Sequence, residues 1–373
     1  RRARPAPRPN APRPNAPRPN APQLAVPVEF LFLPGLASVV AREVRDRLPD
    51  AGPVREVPGR SDSLVADYRG DWARLLDLRT IVAPFLQLGF PVPRPRSLTS
   101  GEFFPQIMDA VRLVQRINPE PPQTFRIDAA GSDSAGFQRL ARQLEDATGL
   151  PQVPEDGQLL LRFRRSPGAG PAGTGGWDVL VRLSSRPLSS RPWRVANLPG
   201  AANATIAAAM SELTSPRPGD RVANLMCGSG TLLIERLRAA PARFAVAVDA
   251  DPAAVDCCAE NLDAAGLRGR VTLLRADIGD QDWAGSGPFD VLLADPPWGT
   301  LMGEHQTNAA RHALLLERAH AVAAPGARLA VLTHEVRIME RCLRAAEPQW
   351  ALRETVRVFQ KGHHPRIYLL RRR

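Results

Sequence analysis

The sequence predicts an α/β protein whose C-terminal half is a doubly wound sheet, preceded by a ferredoxin-like unit and a second small α/β module. Three observations predict it. From residue 197 onward, short apolar runs alternate with segments of helical periodicity. Residues 28–88 read in the order β-α-β-β-α-β. Proline-bearing stretches at Pro91, Pro93 and Pro95, and at Pro187 and Pro192, separate the parts. At 373 residues the chain has room for about two to three domains.

Residues 1–25 repeat Ala-Pro-Arg-Pro-Asn between Ala6 and Asn20. Such a tract cannot bury a core and is expected as an extended, solvated tail, either a phosphate-attracting arm or a dispensable extension. Residues 26–95 form the first unit. An apolar strand at 28–33 is followed, after Pro34-Gly35, by Leu36, Val39, Val40, Val44 and Leu48 at helical spacing. Strands at 54–57 and 63–68, a short helix at 72–76 and an apolar run at 81–88 complete it.

Residues 96–185 form the second unit. It reads as a helix at 103–116, a strand at 124–128, a helix with Phe137, Leu140, Leu144 and Ala147 on one face, and strands at 159–164 and 177–183 around a Gly/Pro-rich loop. Residues 186–200 are a linker, and residues 201–373 are the doubly wound domain.

The apolar fraction is 44%, and no stretch reaches the roughly 18 uninterrupted apolar residues of a membrane span. Cys227, Cys257, Cys258 and Cys342 lack paired-ligand spacing, so neither a disulfide scaffold nor a structural zinc is expected. All six histidines follow residue 300 without metal-binding spacing, and no metal is expected. A reducing cytoplasm fits the cysteine usage. No apolar signal core follows the basic N-terminus, so export is not expected.

Net charge is +11, but six arginines before residue 26 and Arg371, Arg372 and Arg373 at the other end carry nine of those charges. The folded body is nearly neutral, and a polyanion must be held by a local surface or by the tails. Arg79, Arg139 and Arg142 are candidate phosphate contacts or simply solvated charges. His363-His364, beside Lys361-Gly362, lines an RNA face or a solvated loop. Cys257-Cys258 lies within an expected helix and is read as buried.

The chemistry concentrates in four strand ends. Residues 221–235 read strand, glycine turn, helix, with the helix capped near Ser229 or Thr231. Gly228 and Gly230 allow close backbone approach to a ligand, and the helix N-terminus offers unpaired N–H groups. The turn lacks the third glycine of a dinucleotide fingerprint and the Gly-Lys-Ser/Thr of a phosphate loop, so an adenosine without phosphates is the better ligand.

The next strand ends in Asp249-Ala250-Asp251, where a doubly wound sheet grips ribose hydroxyls with an acid. Helix capping is the competing role and suits Asp251 better. A third strand ends in Ala276-Asp277-Ile278, an acid for an adenine amine and an apolar cover for its face. The fourth delivers Asp295-Pro296-Pro297-Trp298-Gly299. There a carboxylate, rigid backbone carbonyls and a stacking ring converge, a pattern suited to orienting the weakly nucleophilic exocyclic amine of a base that has left its stack.

These motifs resemble those of S-adenosylmethionine-dependent amino-methyltransferases of the Asp-Pro-Pro-aromatic type. The 226–235 and 295–299 segments together resemble the bacterial and archaeal RNA guanine-N2 methyltransferases. The resemblance implies a Rossmann-like methyltransferase domain, and residues 197–210 resemble the segment that walls the cofactor pocket there, including Pro199, Gly200, Ala201 and Thr205. The two N-terminal units look like the THUMP arrangement, with the THUMP RNA-binding module at 96–185.

By resemblance, Asp249 with Ala250 holds the ribose and Asp277 with Ile278 the adenine. The turn of Asn224, Met226, Cys227, Gly228, Ser229, Gly230 and Thr231 holds the methionine half. Asp295 borders both cofactor and target, and Asp295, Pro296, Pro297 and Trp298 receive a guanine. Asn224 and Leu225 stand where the family has an acid and a proline, which implies weaker cofactor binding.

The expected activity is methyl transfer from S-adenosylmethionine to guanosine N2 in transfer RNA by in-line displacement, without metal. Ribosomal RNA guanine-N2 methylation, adenine-N6 methylation and a non-catalytic RNA-binding role are the alternatives. Oligomeric state stays open, with a monomer as the default.

Overall fold

The structure, a computed structural model, describes residues 25–166, 175–280, 283–297, 305–360 and 362–373. The expectations for the tail at 1–24, most of the Gly/Pro-rich loop, Trp298, Gly299 and Lys361 lie outside the described residues.

The first unit runs β1 (Val26–Leu31), α1 (Ala37–Arg47), β2 (Arg55–Glu56), β3 (Ser63–Tyr68), a 3₁₀ turn (Trp72–Asp77) and β4 (Ala83–Phe90). Its strands pair antiparallel in the order β2-β3-β1-β4, the ferredoxin-like arrangement. Val28, Phe30, Val39, Val40 and Val44 are buried where strand and helix faces meet. The expected second helix is a six-residue 3₁₀ turn, begun where Asp71 accepts a hydrogen bond from the Ala73 N–H. Only Leu75 within it is buried, too little apolar surface to favour a longer helix.

The second unit contributes α2 (Phe104–Ile117), β5 (Phe125–Ala129), α3 (Ala135–Thr148), β6 (Leu159–Arg165) and β7 (Trp177–Arg182). β7 pairs antiparallel with β4, from Phe85 opposite Arg182 to Phe90 opposite Trp177. The two N-terminal units therefore share one seven-stranded sheet, β2-β3-β1-β4-β7-β6-β5. The prolines after β4 turn the chain away, and a strand from far downstream continues the sheet.

Residues 183–203 hold neither helix nor strand, yet this linker is not a solvated spacer. Trp193 is buried. Asn261 accepts the N–H groups of Val195 and Ala196 through Oδ1, and the Arg191 guanidinium bonds Glu235 at 2.7 Å.

The C-terminal domain runs α4 (Ala204–Leu213), β8 (Arg221–Leu225), α5 (Thr231–Ala239), β9 (Phe244–Asp249), α6 (Pro252–Ala264), β10 (Thr272–Arg275) and β11 (Phe289–Ala294). It continues with α7 (His305–Val322), β12 (Ala323–Thr333), α8 (Val336–Ala345), β13 (Trp350–Arg357) and β14 (Arg366–Arg372). The sheet order is β10-β9-β8-β11-β12-β14-β13, with β14 antiparallel to its neighbours.

Strand residues alternate between two cores, as a sheet covered on both faces requires. Val222, Ala245 and Leu293 join α4, α5 and α6 on one side, while Ala223, Val246 and Leu292 join α7 and α8 on the other. The first of these cores is continuous with that of the N-terminal sheet. β8 lies between β9 and β11, so the connections leave it in opposite directions and open a crevice at its C-terminal end.

Candidate active site

The crevice is a cavity of about 1080 Å³ beyond the C-terminal ends of β8, β9, β10 and β11. Its walls include Pro199, Gly200, Ala201, Met226, Cys227, Gly228, Ser229, Thr231, Asp249, Ala250, Asp277, Ile278, Asp295, Pro296 and Pro297. Sheet order thus brings together four strand-end motifs that are far apart in the chain.

After β8 the backbone turns through positive φ at Met226 (51°), Gly228 (53°) and Gly230 (76°). Within the turn the Cys227 N–H donates to Val248 O at 3.0 Å and the Gly230 N–H to Cys227 O at 2.9 Å, which fixes its path along the cavity. Asp249 holds the turn in shape. Its Oδ2 accepts the Gly228 N–H at 2.8 Å and its Oδ1 accepts the Asp251 N–H at 3.1 Å. Each oxygen keeps further lone-pair capacity on the cavity side for a diol. Asp251 caps α6 by accepting from Ala253, which leaves Asp249 to the turn and the ligand.

Asp277 accepts the Gly279 N–H at 2.7 Å, fixing the loop after β10, and Ile278 lies buried beside it. The donor and acceptor set matches a nucleoside bearing an amino-acid tail. One acid suits the sugar, a second acid with an apolar neighbour suits the base, and the turn at 226–231 borders the space left for the tail.

Three expected residues are not on the cavity wall. Thr205 is fully buried at the start of α4, where its N–H and hydroxyl both bond Asn203 Oδ1. Asn224 is fully buried within β8, donating through Nδ2 to Leu293 O and tying β8 to β11. Its Oδ1 has no protein partner among the described residues, an unsatisfied acceptor beneath the turn.

Gly230 packs against α6, where a Cβ would sit 2.6 Å from Cys258 Sγ. Gly230 is also the N-cap of α5, so the expected side-chain cap is absent; Ser229 and Thr231 bond each other at 2.8 Å instead. A hydrogen bond with Cys258, then burial, pushes the Cys227 thiol well above its ordinary range, so it is not a nucleophile.

Among the candidate phosphate contacts, Arg139 and Arg142 are exposed on α3, whereas Arg79 is buried and ion-paired with Glu212 and Glu235. No group of His, Cys, Asp and Glu among the described residues can hold a metal ion.

One wall escapes sequence reasoning. α7 lays Ala310, Arg311, Ala313, Leu314 and Glu317 along the cavity. Leu314-Leu315-Leu316 carried a signal, since three successive helical residues cannot all face one sheet. Leu315 and Leu316 enter the core and Leu314 borders the cavity. Arg194 of the linker also supports the site, bonding Ala202 O and the Thr231 hydroxyl and so joining two walls.

Residues 191–366 match the family model UPF0020, described as RMKL-like, methyltransferase domain. The matched residues, just under half of the chain, hold all four strand-end motifs of the cavity.

Among curated proteins, the tRNA (guanine(6)-N2)-methyltransferase of Thermus thermophilus is 33% identical over 192 residues, 51% of this chain and 55% of that protein. The tRNA (guanine(6)-N(2))-methyltransferase THUMP3 of Bos taurus is 27% identical over 185 residues, 47% of this chain and 37% of that protein. The chain therefore matches about half of the former and less of the latter. The crystal structure of TrmN from Thermus thermophilus superimposes with a TM-score of 0.69 at 24% identity. It covers 93% of this chain and 100% of that one, so the likeness of fold extends through the N-terminal sheet.

Proposed function

We propose that this chain transfers a methyl group from S-adenosylmethionine to the exocyclic N2 of a guanosine in transfer RNA, in the cytoplasm. One observation carries the reading. Asp295 and Pro296, at the tip of β11, line the same cavity as Asp249 and Asp277, which suit a nucleoside cofactor. The relatives named for transfer RNA guanine-N2 methylation supply the target base and RNA class, and the N-terminal sheet is the candidate THUMP-type RNA-holding unit.

When bound, the cofactor supplies an electrophilic methyl group on a sulfonium. Asp249 would hold its ribose, Asp277 and Ile278 its adenine, and the turn at 226–231 its methionine end. The Asp295 carboxylate would accept a hydrogen bond from the guanine amine, and the Pro296 carbonyl a second one. Both acceptors turn the nitrogen lone pair toward the methyl and stabilise the positive charge that develops as the N–C bond forms. With the methyl supplied by the bound cofactor, the Asp295 carboxylate or water would take the amine proton.

Radiolabelled methyl transfer to unmodified transfer RNA and, in parallel, to unmodified ribosomal RNA, followed by nucleoside analysis, tests the reading. N2-methylguanosine is expected; N6-methyladenosine, or label only in ribosomal RNA, would replace it with another activity. Asp295→Ala should lower the rate by about 10²-fold or more with cofactor affinity retained in calorimetry. A variant keeping a tenth of the wild-type rate removes Asp295 from the chemistry.

A further inference from the structure

The C-terminal edge of the sheet continues past Asp295 onto a cluster of rings that the cofactor cavity does not use. Ala294 is paired in parallel with Val331, so the residues after β12 emerge one strand over from Asp295, on the side away from Asp249 and Asp277. His334 is there, directly after Thr333. The hairpin joining β13 to β14 rises over the same edge, because β14 begins with Arg366 opposite Thr333.

The hairpin is closed by reciprocal backbone bonds between Gln360 and His363, both 2.9 Å. The His363 ring meets His334 edge-on at 5.1 Å, and Phe359 meets His364 at 4.9 Å. Phe359 is 41% exposed, one of three large apolar side chains left in solvent among the described residues. The nearby acids are engaged, Glu335 by Asn308 and Glu340 by Arg366, whereas Arg337 and Arg357 are exposed. The same hairpin touches the N-terminal sheet unit, since the Phe359 N–H donates to Pro34 O at 3.0 Å.

We propose that Phe359, His363, His364 and His334 form a stacking surface for the RNA nucleotides that flank the target base. The inference rests on the RNA reading above and adds the surface that the strand follows. Three physical points favour RNA. Three of the four rings sit on a closed hairpin, so little ordering entropy is lost when a base stacks on them. Exposed aromatic and imidazole faces beside exposed arginines match unstacked bases and their phosphates. The patch also bridges the catalytic edge and the N-terminal unit, so an RNA held by that unit with a base in the cavity must cross it.

The test uses the full chain and a fluorescently labelled transfer RNA transcript, with anisotropy for RNA affinity, calorimetry for S-adenosylmethionine affinity and methyl transfer on the same transcript. Phe359→Ala should weaken RNA binding about ten-fold, and Phe359→Ala with His363→Ala further, with cofactor affinity unchanged. Phe359→Trp should retain binding because any π-face serves. Unchanged RNA affinity in the double variant overturns the proposal, as does a parallel loss of cofactor affinity, which would mark the hairpin as merely structural. If the wild type binds RNA through these rings yet transfers no methyl, the methylation reading falls and the surface stands. If it methylates and the double variant keeps its KM for RNA, the surface alone falls. A wild type that does not bind RNA removes both.

Discussion

His312 is fully buried on α7, its Nδ1 2.8 Å from Asn308 O and its Nε2 3.0 Å from Thr333 Oγ1. Burial holds its pKa below the ordinary value, against raising effects from the Asn308 carbonyl and from Glu335, and Arg311 lowers it further. The imidazole is therefore neutral in the fold, and the unfolded chain takes up its proton first as pH falls. Stability from this residue is complete above about pH 6.5 and is lost as pH drops from there through the lowered folded value. His320 and His334 are shifted the same way, mainly by burial, so part of the slope belongs to them. The urea midpoint of the wild type should fall between about pH 7.5 and pH 5.5. His312→Gln should lose stability at both pH values yet show a smaller difference between them. An equal difference would mean that His312 already titrates normally in the folded protein.

The β8 turn and α5 place two constraints on Gly230 that one residue meets together. Its φ of 76° disfavours a side chain by about 1–2 kcal/mol, and a Cβ would press on the buried Cys258 thiol of α6. Gly230→Ala should therefore destabilise by more than the backbone term alone. Combined with Cys258→Ala, the loss should be smaller than the sum of the single losses, read from urea midpoints. Strict additivity would mean that the helices already have room.

This turn also illustrates what is legible in a sequence. Strand, glycine turn and helix follow from local periodicity and from residue types that permit positive φ, and so do the acids at the tips of β9, β10 and β11. The β4–β7 pairing is not legible, because the prolines after Phe90 signal an ending while the strand that continues the sheet begins at Trp177. The α7 wall carries no motif beyond the surplus leucine of Leu314-Leu315-Leu316, and it reaches the cavity by packing. Local composition marks residues 186–200 as a linker, since prolines disfavour regular elements. It cannot reveal that Arg191, Arg194 and Asn261 stitch that segment to the domain. Thr205 and Asn224 are the same lesson inside the site: the segments that contain them reach the cavity, but their own side chains turn into the protein.

At the scale of the molecule, the N-terminal sheet and the methyltransferase domain share a buried ionic junction as well as an apolar core. Arg79, from the segment before β4, donates to Glu235 Oε2 at 3.1 Å and to Glu212 Oε1 at 2.7 Å, on α5 and α4. Arg191 of the linker takes the other Glu235 oxygen at 2.7 Å and reaches the Arg79 carbonyl at 2.6 Å. Glu235 is fully buried in the helix that starts at the cofactor turn, so its charge is tolerable only with both guanidinium groups in place. Arg79→Met removes one of them and leaves a carboxylate under-compensated in low dielectric. With Arg191 still present, the expected loss is at the lower end of the usual range for a broken buried pair, about 3 kcal/mol. Arg79→Met with Glu235→Gln should recover much of it, because the neutral amide needs less compensation. The recovery separates a charge effect from lost packing, which the amide would not restore. Urea unfolding followed by tryptophan fluorescence reads both variants, and calorimetry with S-adenosylmethionine reports whether loosening this junction reaches the turn at 226–231. A single variant as stable as the wild type would mean that Arg191 alone neutralises Glu235. The two halves would then be held together by their shared apolar core.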